Sequence, residues 1–114
     1  MSQTATIIVS LLTFDDVRDR ARTRFPAPYE CFENDIKGIT IRSEDGYLML
    51  GKFSAEDQSE ILRETEQEEG GGNLPLFVMA SRHSYARKIL DRLLEGVPTV
   101  VFNDHEVVAL SRWV

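Results

Sequence analysis

The chain reads as an α+β protein: two βαββ-like units joined by a surface helix, in a mostly antiparallel sheet with helices packed on one face. Three observations predict this. Short β-branched runs (TATIIVSLL, LPLFVMA, VPTVVF) alternate with segments whose apolar residues recur at helical spacing. Turn residues separate neighbouring apolar runs, the pattern of antiparallel hairpins. A hydrophobic content of 42% over 114 residues suits one domain, residues 1–114, with a core of its own.

Residues 4–12 form the first strand. Thr13 caps a helix, Asp16 completes a capping box, and Leu12 with Val17 supplies the hydrophobic staple. Phe14, Val17, Ala21 and Phe25 share one face, and Pro26 ends the helix. Residues 26–37 lack a clean period and read as a loop, with a short strand around Tyr29 to Phe32. In GITIRSEDGYLMLGKF, Asp45-Gly46 as a two-residue turn pairs Ile41 with Leu50 and Arg42 with Met49. These elements make the first unit, residues 4–52.

Ser54 caps the second helix, with Asp57 at its third position. A thin stripe of Ala55, Ile61 and Leu62 places this acidic connecting helix, residues 54–69, on the surface. The Gly-rich loop 70–73 stops it. The second unit, residues 74–114, opens with the strand 74–80. Its helix carries Ala86, Ile89, Leu90, Leu93 and Leu94 on one face, and Gly96 stands where a C-terminal cap belongs. In the last hairpin, Asp104-His105 in the turn pairs Phe102 with Val107 and Val101 with Val108. The alternative register sets Val101 against Glu106 and is rejected for that reason. The two units share an order of elements without a residue-by-residue match.

The formal charge is −6, and it is localised. Residues 54–69 hold seven of the 19 acids and one of the 13 bases, so the rest of the chain balances. Such a field favours a partner with a basic surface and disfavours nucleic acid. The competing reading is a solvated helix face that keeps the protein soluble. No basic residue precedes the first apolar run, and no run is long enough to span a bilayer. With a single cysteine, Cys31, no internal disulfide can form. These features predict a cytoplasmic protein without membrane attachment.

EEGGGN (68–73) is not a phosphate loop. Such a loop follows a strand and opens a helix, whereas these glycines follow a helix and lie beside carboxylates. Cys31, His83 and His105 show no spacing of a nucleophile and base, and two histidines propose no metal site. A partly buried thiol and two surface histidines are the expectation. Arg18, Arg20, Arg22 and Arg24 form two i, i+4 rows, but Asp15, Asp16 and Asp19 interleave them. The rows therefore read as a solvated face with an Asp16–Arg20 ion pair. No cofactor and no catalytic set is expected. The candidate partner-binding residues are Glu56, Asp57, Glu60, Glu64, Glu66, Glu68 and Glu69.

Residues 76–110 carry a strand, an amphipathic helix with Ala86, Arg87, Leu90 and Leu93, then Gly96, Pro98, Val100, Val101, a tight turn, Val108 and Ala109. This order resembles the folded module of prevent-host-death (Phd/YefM-type) antitoxins. The hairpin here reads Asn103-Asp104-His105-Glu106, where that family is usually basic. The resemblance therefore implies a dimerising regulator more readily than an operator binder. The leading expectation is a small acidic non-enzymatic protein that binds and inhibits or regulates a partner protein, of immunity-protein, antitoxin or phage-encoded antagonist type. Alternatives are a dimeric Phd-like transcriptional regulator, a small enzyme using Cys31, and a structural subunit held by sheet edges near Trp113.

Overall fold

A computed structural model describes residues 4–34, 38–68, 71–103 and 106–113. It contains β1 (Thr4–Ser10), α1 (Phe14–Arg24), β2 (Glu30–Asn34), β3 (Gly38–Ser43), β4 (Gly46–Lys52), α2 (Ala55–Glu64), β5 (Leu74–Ala80), α3 (His83–Leu93), β6 (Thr99–Asn103) and β7 (Glu106–Ala109). A 3₁₀ turn, Leu110–Arg112, follows β7. The strands form one seven-stranded sheet in the order β2-β3-β4-β5-β1-β6-β7. Every described pairing is antiparallel.

The α+β class holds, with helices packed against a mainly antiparallel sheet. α1 and α3 share one face. Val17 and Ala21 of α1, Phe25 just past its end, and Tyr85, Ile89 and Leu90 of α3 bury against Ile8, Ile41, Leu48, Leu76 and Val101. The connecting helix α2 lies on the other face, where Ile61 and Leu62 meet Val9 with Ile7, Phe53 and Val100 around them. Each such aliphatic side chain contributes about 1.5–3 kcal/mol by leaving water. α3 carries five buried residues to α2's two, so it is the principal helix of the core.

The two units are not laid down alike. In the second, the strand after the helix (β6) lies inside and β7 forms the edge. In the first, the strand after α1 (β2) is the edge, and β3 and β4 step inward. β5 and β6 flank β1, so the units interlock in one sheet. The short strand expected around Tyr29 to Phe32 is β2, which runs on through Asn34 as a full partner of β3.

Local signals decide several boundaries. The Thr13 hydroxyl accepts from the Asp16 N–H at 3.1 Å, and the Asp16 carboxylate accepts from the Thr13 N–H at 3.3 Å. The Ser54 hydroxyl accepts from the Asp57 N–H at 3.2 Å. The last hairpin adopts the expected register, Val101 opposite Val108 and Phe102 opposite Val107. Its turn, Asp104-His105, lies outside the described residues.

Two expectations are corrected. The β3–β4 turn is Glu44-Asp45, not Asp45-Gly46, and Ile41 faces Leu48 while Arg42 faces Tyr47. The slip is two residues, so each side chain keeps its face. Gly46 is needed for a long-range reason: a Cβ there would stand 2.3 Å from Ser81 Oγ and 3.3 Å from the Tyr85 ring. The second correction concerns the end of α2. The helix stops at Glu64, and the glycines do not stop it. Glu66 adopts φ of 57°, its N–H bonds the Arg63 carbonyl, and the Gln67 N–H bonds the Leu62 carbonyl. That is a Schellman turn with glutamate in the position glycine usually fills. Ala55 is exposed, so the inward stripe is Ile61, Leu62 and Thr65.

Candidate functional site

The acidic residues do not form one helical face. Glu56, Asp57, Glu60 and Glu64 project from α2, while Glu66 and Glu68 follow in the turn beyond it. All six are exposed, and Glu69 lies outside the described residues. None of the six forms an ion pair among the described residues. Asp15, Glu30, Glu33, Asp91 and Glu95, by contrast, each pair with an arginine. The loop after α2 is held through its backbone. Asn73 Nδ2 donates to the Glu68 carbonyl at 3.1 Å, and the buried Thr65 hydroxyl donates to the Ile61 carbonyl at 2.8 Å.

The face of α1 that carries the arginines is partly solvated, with Arg22 exposed, but each of its arginines also has a partner within the molecule. Arg20 donates to the Leu93 and Glu95 carbonyls at 3.2 and 3.0 Å. Arg24 donates to the Arg92 carbonyl at 3.0 Å. Both satisfy carbonyls at the C-terminal end of α3, which lack intrahelical partners. The expected Asp16–Arg20 pair is absent from the ion pairs described, since Asp16 serves the α1 cap. Arg18 Nε stands 2.6 Å from Glu33 Oε1 without the alignment of a hydrogen bond, so that contact is an ion pair. Arg22 joins Glu33 at 3.3 Å.

Cys31 and His83 serve separate structural contacts. The Cys31 thiol donates to the Ala21 carbonyl at 3.3 Å, and burial pushes its pKa up. A thiol held protonated in this way is a poor nucleophile. His83 packs edge-on against Trp113, with ring centres 4.4 Å apart. His105 lies outside the described residues. No group of three or more metal-ligating side chains occurs among the described residues. No described helix is long and apolar enough to cross a membrane.

A cleft of about 440 Å³ lies between the end of α3 and the β6–β7 edge. It is lined mainly by apolar residues such as Leu94, Pro98 and Leu110. Its two carboxylates, Asp91 and Glu95, are paired with Arg87 and Arg24. Among its described lining residues it therefore offers no unpaired charge to orient a ligand.

Sequence reasoning missed the sheet face beside α2. Met49, Met79 and Phe102 are half-buried on that face, and Phe77 and Val107 remain 36% and 41% exposed. None of these five belongs to either core cluster. A sheet face turned to water normally carries polar residues. The signal was present in the near-continuous apolar runs YLML and LFVM, which suit strands covered on both sides.

No family model, curated protein or solved structure matches the chain.

Proposed function

We propose that the protein is a small acidic, non-enzymatic binder that inhibits or regulates a partner protein through a basic surface on that partner. One observation carries this reading: six exposed carboxylates on α2 and its following turn have no ion-pair partner among the described residues. Unpaired like charges attract a complementary surface at long range and speed association. The engagement of Arg18, Arg20, Arg22 and Arg24 within the fold supports the same reading, because it leaves no free arginine stripe on α1 for a phosphate backbone.

The test is association kinetics with the partner recovered from the source cell, at low and moderate salt. Replacing Glu60, Glu64, Glu66 and Glu68 by Gln is expected to slow association about tenfold and flatten its salt dependence. Unchanged affinity and on-rate in that variant would sink the proposal.

A further inference from the structure

The side of the sheet that carries α2 is half covered. Ile61 and Leu62 close the end near Val9 and Val100. Beside them two cross-strand rows are only partly covered: Ile7 touches the α2 cluster and Phe77 meets Phe53 edge-on, while Phe102, Val107, Met49, Met79 and Ala5 lie outside it. One is Phe77–Ile7–Phe102–Val107, and the next is Met49–Met79–Ala5. The rows are about 7 Å apart along the strands, and the first spans about 14 Å across four strands. One α-helix, about 10 Å wide, covers two such rows. α2 already uses this mode, resting its apolar residues on this same face.

We propose that the open half of this face docks a cationic amphipathic helix of the partner protein, lying beside α2. The apolar side of that helix covers Phe77, Phe102 and Met79, and its lysines or arginines meet the carboxylates that α2 leaves unpaired. The inference rests on the acidic-binder reading and adds the surface that gives the contact its duration. The charge selects this occupant over a second copy of the chain. Stacking two such faces would bring two copies of net charge −6 together and press the acidic outer side of each α2 toward an apolar sheet, desolvating carboxylates without partners. An exposed carboxylate pays little for a lysine across a rim, whereas the apolar rows gain by losing water.

The probe is a Leu/Lys peptide of about 18 residues, long enough to hold a helix, with leucines on one face. Its control has the same composition in a scrambled order with no apolar face. Binding is measured by anisotropy, and the contact is mapped by amide chemical shifts on the unmodified protein. The amphipathic peptide is expected to bind about tenfold more tightly than the scramble, with shifts at Met49, Met79 and Phe102 as well as along α2. Met79→Lys is expected to remove that advantage while leaving the scramble's binding in place. If both peptides bind equally and shifts stay on α2, the docking face is overturned and acidic capture stands. If neither binds at low salt, both readings fail. If the free protein dimerises through these same amides, a second copy is the occupant and the proposal is overturned.

Discussion

Single atoms decide several features at the residue scale. Gly46 sits against the β5–α3 junction, where the Ser81 hydroxyl accepts the Tyr47 N–H at 3.2 Å. A methyl group at position 46 would displace that hydroxyl and crowd the Tyr85 ring. Gly46→Ala is expected to cost about 1–3 kcal/mol, read as a lowered urea midpoint with unchanged slope. Tyr85 itself is 2% exposed, and its hydroxyl lies 2.9 Å from Ser43 Oγ. Burial pushes the Tyr85 phenol up, against a smaller opposing effect of the Ser43 hydrogen bond, and burial likewise raises the Cys31 thiol. Both groups hold their protons more tightly when folded than when unfolded. The stability this represents is intact below the ordinary pKa values and is lost as pH rises through the folded ones. Unfolding midpoints should therefore fall above about pH 9. In Tyr85→Phe the fall should be shallower, and an identical pH profile would refute the assignment.

At the scale of elements, helix ends matter as much as helix faces. The C-terminal carbonyls of α3 are tied to α1 by Arg20 and Arg24. Arg20→Met keeps the stem but removes the donors, and is expected to cost about 1 kcal/mol. Arg20→Lys should recover little, because a single ammonium does not reproduce the fork that reaches two carbonyls. α2 ends on Glu66 in a left-handed conformation. Glu66→Gly should stabilise the protein by about 1 kcal/mol, measured by thermal melting, since glycine adopts that conformation without a Cβ penalty. These ends also mark what was legible in the sequence. Both hydroxyl caps were readable because they are local. The β6–β7 register was readable because only one pairing sets apolar residues against apolar residues. The end of α2 was not, because its turn places glutamate where glycine is the usual signal. The β3–β4 turn was misread for the opposite reason: Gly46 serves a contact with Ser81, 35 positions on, that no local pattern announces. The acidic half of the candidate site was visible as charge. Its apolar half needed strand order, which places Met49, Met79 and Ala5 side by side from three distant segments.

Across the whole molecule, the excess charge is divided between the two ends of α2: Glu56 and Asp57 stand in its first turn, where the dipole favours them, and the others stand where it does not. Outside residues 54–69 acids and bases balance, and many of them are paired across elements. Within that segment Glu60, Glu64, Glu66 and Glu68 cluster toward or beyond the C-terminal end of α2, where the helix dipole is also negative. Each such carboxylate opposes the dipole by about 0.3 kcal/mol when exposed, and neighbours repel one another by a similar amount. Replacing all four by Gln should therefore raise stability by about 1 kcal/mol. The wild-type protein should gain stability as salt is raised from low to moderate, through screening, while the variant changes little. Thermal melts of both proteins across that salt range check this. The same variant is the one expected to lose rapid association with a basic partner. More stability with less binding would mark the segment as held for recognition at the expense of the fold, since a merely solubilising face could be neutralised without affecting any partner. If the variant is no more stable and the salt response is shared, the carboxylates are too well solvated to strain α2, and the acidic segment places no load on the fold.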